Sequence, residues 1–270
     1  MVEIISKYKI GTRRFGLINW IGAWALYKKE VLRFLIVWAQ TIFSPLISAL
    51  LFLLVLSLAI GNERGEVLGV SFINFLAPGL IAMQVIQQSF SHSSSSFMIG
   101  KIQGNIVDIL YAPLSAAEVT FAVTLAAVSR SVIIAFVSIV TFSFIIDFEI
   151  KNYFTLIAFI FLSSFILGAL GMVAGLWAEK FDHMATVTNF VIVPLSFLSG
   201  TFYTTDKLPS YLQTTSKANP FFYMIDGIRY SFLEKSDGSI IVGLIYLSLL
   251  SFVIFMLAYI LYKKGYKIKS

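Results

Sequence analysis

The chain has 270 residues, of which 58% are hydrophobic and only 13% are charged. Soluble domains carry about 25% charged residues, so this balance excludes an ordinary soluble protein and indicates a polytopic, all-α integral membrane protein. The absence of cysteine excludes disulfides, thiol catalysis and cysteine-ligated metals. In a membrane protein the net charge of +6 reports orientation and does not indicate nucleic-acid binding.

The first 33 residues are basic and aromatic. Trp20, Trp24 and Tyr27 recur at helical spacing, and cations accompany them at Lys28, Lys29 and Arg33. Aromatic rings favour headgroup depth and cations favour the adjoining water. The pattern predicts a helix lying in the membrane interface, and the alternative is a simple positively charged anchor before the first span.

Long apolar runs then predict six transmembrane helices in one domain, residues 34–270. The predicted spans are about 34–60, 73–93, 117–146, 153–177, 187–204 and 239–262. Pro45 is expected to bend the first span, because proline removes a backbone hydrogen bond. The short link at 147–152 predicts a tight hairpin of the third and fourth spans.

The loop at 205–238 is long and unusually apolar. It predicts short amphipathic or re-entrant helices before the last span, broken at Pro209 and at Asn219–Pro220. Ordinary packing outside the bilayer is the alternative.

Lysine and arginine counts predict the orientation. Thirteen of these residues lie in the two tails and in the loops on the same side, and six lie on the opposite side. The positive-inside rule therefore places both termini in the cytoplasm, which agrees with an even number of spans. The chain is expected to insert through its own first span, as inner-membrane proteins do.

The segment 100–115 carries polar residues between two apolar runs. Apolar positions 102, 106, 109 and 110 share one helical face, and the polar positions are Lys101, Gln103, Asn105 and Asp108. Pro113 ends the element. The pattern predicts a short cytoplasmic helix, which serves either as a connector or as a docking helix.

Sequence signals for catalysis are missing. No segment matches the P-loop pattern G-x-x-x-x-G-K-[ST], so the chain is not expected to bind ATP that way. His92 lies among serines, but the G-x-S-x-G context of a serine hydrolase is absent. We therefore expect no enzyme activity, no metal site and no cofactor on this chain.

Polar residues inside predicted spans are informative, because burying them in lipid is costly. One polar stripe on the second span consists of Gln84, Gln87, Gln88 and His92. It either joins helices or lines a translocation path. Arg130 lies within the third span, where it either pairs with Glu179 or Asp182 or contacts an anionic headgroup; we favour the pairing. Three glycines on the fourth span, Gly168, Gly171 and Gly175, predict close helix packing.

Five stretches, taken in order, resemble the type-2 family of ABC exporter permeases over nearly the whole chain. They are KKEVLRF (28–34), FLAPGLIAM (75–83), SSFMIGKIQGNIVDILYAPLS (95–115), PLSFLSGTFYTTDKLPSYLQ (194–213) and NPFFYMIDGIRYSFL (219–233). The likeness is greatest to small six-span bacterial permeases of the drug-export, nodulation-factor and polysaccharide-export type.

The resemblance implies roles for several segments. Residues 100–114 would be the coupling helix that sits in a cleft of a separate ATPase, with Gly100, Lys101, Gln103, Asn105, Asp108 and Pro113 as its candidate residues. Residues 19–33 would be the connecting helix, and 205–238 would cap the pathway. ATP and magnesium would be bound by the partner ATPase.

The resemblance also implies an assembly of two ATPase subunits with two permeases, the second being another copy or a paralogue. The path would lie between the permeases. The expected substrate is an amphipathic small molecule, a drug or a lipid, and the alternative is a polysaccharide or lipid-linked glycan. A stand-alone secondary transporter is a further alternative, although the span interiors hold no aspartate or glutamate suited to carrying protons.

Overall fold

The computed structural model describes residues 18–146 and 149–268, except for the side chains of 60–64 and 207. Several residues used for the sequence predictions lie outside these ranges: the basic residues Lys7, Lys9, Arg13, Arg14 and Lys269, and residues 147–148 of the hairpin link. The described part is almost wholly helical, with only two short strands. The predicted fold class, an all-α integral membrane protein, is confirmed.

The elements follow one another with short connections. The first half contains α1 (Trp20–Ile36), a π-helical turn (Ala39–Phe43), α2 (Ser44–Arg64), strands β1 (Glu66–Val67) and β2 (Val70–Ser71), α3 (Phe72–Ile102), α4 (Ile106–Tyr111) and α5 (Ala116–Ser143). The second half contains α6 (Tyr153–Trp177), α7 (Phe181–Val187), a π-helical turn (Thr188–Ile192), α8 (Val193–Leu198), a 3-10 turn (Thr205–Lys207), α9 (Ser210–Ala218), α10 (Pro220–Leu233) and α11 (Ile240–Lys263). The strands form an antiparallel hairpin with Glu66 opposite Ser71.

Five helical segments of the described chain are long and apolar enough to cross a membrane. They are Ala39–Ala59, Ala116–Ser143, Tyr153–Trp177, Phe181–Leu198 and Ile240–Lys263. The second predicted span lies in α3, whose 31 residues extend over about 46 Å. Its glutamines and serines dilute its apolar character, so α3 is not among the five. The count of six spans stays a prediction.

Each of two prolines follows a π-helical turn. Ala39–Phe43 precedes Pro45 in α2, and Thr188–Ile192 precedes Pro194 in α8. A proline ring cannot donate the usual backbone hydrogen bond, and a wider turn accommodates this loss. The irregular backbone lies in the residues just before Pro45, and the bend of the first span stays a prediction.

Helix α3 is the centre of the fold, packed mainly against α6 and also against α5 and α10. Glycines on α6 allow this contact. A Cβ atom added at Gly171 would overlap the carbonyl oxygen of Phe90, and one at Gly175 would lie 2.8 Å from the carbonyl oxygen of Ser94. Gly168 faces Ala127 of α5 in the same way. The predicted glycine packing is therefore confirmed.

Two helices form within the loop at 205–238. Helix α9 begins after Pro209, and α10 begins at Pro220, as the prolines predicted. Most of α10 is buried against α3 and α6. Its Arg229 donates to the carbonyl oxygen of Gly200 over 2.6 Å and lies over the ring of Phe75. Re-entry of these helices into the bilayer stays a prediction.

We predict that Gly171→Val lowers the stability of the chain by about 2 kcal/mol, because overpacking forces α3 and α6 apart. Thermal unfolding of the detergent-purified protein measures this effect. Gly100→Ala is the matched control, since its Cβ atom would meet only Ile106 at an ordinary 3.7 Å. An unfolding temperature of Gly171→Val equal to that of the wild type would contradict this account of the helix packing.

Candidate functional site

A buried carboxylate joins three parts of the chain at one end of the helices. The backbone amides of Asn19 and Ser115 both donate to Glu118, each over 2.6 Å between nitrogen and oxygen. The side-chain amide of Asn19 donates to the carbonyl oxygen of Pro113 over 3.1 Å. Residues 102–113, which contain α4 and the turns on either side of it, are called the α4 segment. The start of α1, the end of the α4 segment and the start of α5 are therefore tied together, and we call this contact the α1–α5 joint.

Local sequence explains the α1–α5 joint. Ser115 and Glu118 form a capping box, in which each side chain binds the backbone amide of the other residue. The Asn19 side chain caps α1 by accepting from Gly22. Glu118 uses its second oxygen for the amide of Asn19, which lies 99 positions away in the chain. Sequence analysis did not identify this long-range contact, because the capping box reveals only its local half.

The predicted helix at 100–114 is wrong as one continuous element. Gly100–Ile102 end α3, a turn follows, and α4 has only six residues. Gly104 adopts a left-handed backbone with φ of +76°, which interrupts the helix. The predicted apolar stripe is divided as well. Ile106 is buried against the body of the protein, whereas Ile102 and Leu110 are exposed.

The α4 segment exposes both polar and apolar side chains. Its predicted polar members Gln103, Asn105 and Asp108, together with Pro113, are all exposed. Tyr111 is 86% exposed, and sequence analysis did not single it out. A groove of about 520 Å³ separates this segment from α1, with Lys29, Asp108 and Pro113 among its lining residues. We call the exposed residues at 102–113 the α4 surface.

Lys101, in the last turn of α3, differs from the exposed residues that follow it. Its ammonium donates to the carbonyl oxygens of Leu176 and Ala178 at the C-terminal end of α6. A cation at this position offsets the negative end of the helix dipole. Lys101 therefore fastens α3 to α6 and does not point outward with the α4 surface.

The pairing favoured for Arg130 is wrong. Glu179 binds Lys267 over 2.7 Å, Asp182 is exposed, and the Arg130 guanidinium donates to the Gln88 side chain over 2.5 Å. Arg130 lies 14 residues from the start of α5, about 21 Å along the helix. Glu179 lies beyond the end of α6, which packs beside the start of α5, so the two groups cannot meet. Hydrogen bonding to Lys267 also lowers the pKa of Glu179.

Helix α1 presents two different faces. The indoles of Trp20 and Trp24 and the ammonium groups of Lys28 and Lys29 are exposed, which suits the predicted interfacial anchor. Tyr27 turns inward and its hydroxyl lies 2.8 Å from that of Ser129 on α5. Arg33 also turns inward, donating to the carbonyl oxygen of His92 over 2.9 Å.

Glu30 is the buried acid that sequence analysis missed. The Arg33 guanidinium donates to it over 3.0 Å and the Ser96 hydroxyl over 2.8 Å. The His92 ring is buried, with Nε2 3.7 Å from the carboxylate. Leu26, Glu30 and Phe34 are spaced four residues apart and lie on one face of α1. The apolar residues on either side of Glu30 are therefore the sequence signal for its inward position.

The predicted glutamine stripe has no single environment. Gln84 and His92 are buried, Gln87 is half-buried, and Gln88 lines an open cleft of about 620 Å³. This cleft lies between α1, the first π-helical turn, α3 and α5, and we call it the Arg130 cleft. Its polar walls are formed by Arg33, Gln40, Gln88, Ser91, Gln103 and Arg130.

Comparison with known proteins identifies similar chains. Residues 22–233 match the family model described as ABC-2 type transporter. The chain is 29% identical over 253 residues to the inner membrane transport permease YadH of Escherichia coli (strain K12), covering 94% of this chain and 99% of the relative. It is 27% identical over 226 residues to nodulation protein J of Rhizobium leguminosarum bv. trifolii, covering 79% and 81% of the two chains.

We predict that Glu118→Ala loosens the start of α1 and lowers the stability of the chain by about 2–3 kcal/mol, the scale of a charged hydrogen bond. Thermal unfolding measures the stability, and hydrogen exchange at the amides of Asn19 and Ser115 measures the loosening. The control is Glu149→Ala, which removes an exposed carboxylate. Unchanged exchange at both amides would show that Glu118 does not hold the joint.

Proposed function

This chain belongs to the ABC-2 type transporter family, and we propose that it is the membrane subunit of an exporter driven by a separate P-loop ATPase. The permease role follows from the family. The exposed α4 surface, tied to α1 and α5 by the α1–α5 joint, is the observation that carries the coupling to an ATPase.

The α4 surface suits contact with another protein. Tyr111, Val107 and Leu110 are exposed apolar side chains beside the polar groups Asn105 and Asp108. Protein interfaces combine aromatic anchors with a polar rim in this way. Side chains facing the lipid need no such polar rim, so a soluble partner subunit fits this surface better than the bilayer does.

The α1–α5 joint gives the α4 surface a mechanical connection to the membrane part. A displacement of α4 moves Pro113, and the hydrogen bond from Asn19 to Pro113 transmits it to α1. Glu118 transmits the same displacement to α5. Closure of an ATPase pair would in this way become a rigid-body movement of membrane helices.

The proposed assembly has two permease copies and two ATPase subunits in a bacterial inner membrane, with both termini in the cytoplasm. Similarity to the inner membrane transport permease YadH supports this location. The translocation path would lie between the permeases. ATP and its magnesium ion would bind to the ATPase chains.

The proposed substrate is an amphipathic small molecule, a drug or a lipid, because the Arg130 cleft combines polar and apolar walls. A polysaccharide or lipid-linked glycan is the second candidate. The amide side chains of Gln40, Gln88 and Gln103 in the cleft can hydrogen-bond sugar hydroxyls.

We predict that the chain, purified in mild detergent from its own host, brings a P-loop ATPase with it in equal amount. Tyr111→Ala, and Asn105→Ala combined with Asp108→Ala, should each reduce the ATPase recovered at least tenfold, as the loss of an interface hot spot does. Quantitative mass spectrometry of the purified complex measures the ratio of the two chains.

The matched control is Tyr211→Ala, which removes a tyrosine that is 69% exposed on α9, far from α4 in the chain. Full recovery of the ATPase with all the α4 variants would overturn the proposed coupling surface. A chain that is recovered alone and moves a solute under a proton gradient without ATP would be a secondary transporter instead.

A further inference from the structure

The Arg130 cleft contains a cation that has no neutralising partner among the residues that the structure describes. Arg130 lies in the middle of α5, and its guanidinium hydrogen-bonds the neutral amide of Gln88. Its Nε atom is buried without a hydrogen-bond partner. No carboxylate of the described residues lies within 4.0 Å of this guanidinium.

Glu30, the buried acid of α1, does not neutralise Arg130. Glu30 is already bound by Arg33 and by Ser96, so the charges of Glu30 and Arg33 balance each other. Arg33 adds a second guanidinium to the wall of the cleft. A buried cation inside a membrane helix is costly and is normally paired. The positive charge of Arg130 is therefore available to a ligand.

The walls of the cleft indicate which ligand fits. Gln40, Gln88 and Ser91 can donate hydrogen bonds beside the guanidinium. Phe34, Val37 and Ile99 line the same cleft with apolar side chains. The planar fork of an arginine suits a phosphate or carboxylate oxyanion, and the apolar walls suit a hydrocarbon chain.

We propose that the Arg130 cleft binds an anionic amphiphile, with its oxyanion headgroup on Arg130 and its apolar part against Phe34 and Val37. This inference rests on the proposed function in taking the cleft as part of the translocation path. The binding itself needs only the permease, so its test is separate from the test of ATPase coupling.

The test is the thermal unfolding of the purified full chain in an uncharged detergent, titrated with dihexanoyl phosphatidic acid. We expect a saturable rise in the unfolding temperature. Dihexanoyl phosphatidylcholine, which has no net charge, should produce a much smaller rise. Arg130→Gln should weaken the apparent affinity for phosphatidic acid about tenfold, which corresponds to the loss of one charged hydrogen bond. Arg130→Lys should keep part of the response.

Three further variants keep the test decisive. Lys217→Gln removes an exposed cation on α9 and should leave the response unchanged. Ser91→Asp places a carboxylate in the cleft, where it should neutralise Arg130 and abolish the response even if Arg130→Gln fails to fold. Ser91→Asn is its uncharged control.

Inorganic phosphate distinguishes a lipid headgroup from a free anion. A weak response to phosphate beside a strong one to phosphatidic acid supports the amphiphile. An equal response to both would overturn the amphiphilic part of the proposal and assign the cleft to a free oxyanion. A full response of Arg130→Gln, or of Ser91→Asp, would overturn the whole proposal.

Discussion

The carboxylate of Glu118 holds the start of α1 to the start of α5. It accepts the backbone amides of Asn19 and Ser115, which belong to different helices and would otherwise need separate partners at buried helix ends. Because both amides share one side chain, α1 and α5 cannot shift independently at this end. The short α4 segment ends at Pro113, within the same contact, so its position is fixed as well.

The helices behind this joint form a body that can transmit movement. Glycines at 171 and 175 bring α6 close to the backbone of α3, and Lys101 fastens the end of α3 to the carbonyl oxygens of Leu176 and Ala178. Close-packed helices move together and do not deform easily. The Arg130 cleft lies where α1 and α5 meet α3, so movement of the jointed helices would change the width of that cleft.

Local sequence patterns predicted much of the fold, and the features that they missed depend on long-range contacts. The helix boundaries at Pro209 and Pro220 and the glycine packing on α6 follow from nearby residues, as does the exposure of Trp20 and Trp24. The division at Gly104 depends on one left-handed residue, which a periodic pattern does not reveal. The partners of Glu30 depend on how α1 packs against α3, and the partner of Arg130 depends on how α3 packs against α5. Charge complementarity alone suggested an acid for Arg130, but the middle of α5 lies about 21 Å from the end where Glu179 lies, and its observed partner is the neutral Gln88.

We expect α1, α4 and the start of α5 to move as one unit when the ATPase acts. The chain has no cysteine, so spin labels can be placed at Leu32→Cys on α1 and at Ala117→Cys at the start of α5, both exposed positions outside the α4 surface. Pulsed electron-spin distance measurements on the assembled transporter, with and without ATP, test the claim. We expect ATP to leave the distance between positions 32 and 117 within one copy unchanged and to change the distance between position 32 in the two copies. A change in the distance from 32 to 117 on adding ATP would show that α1 and α5 move separately.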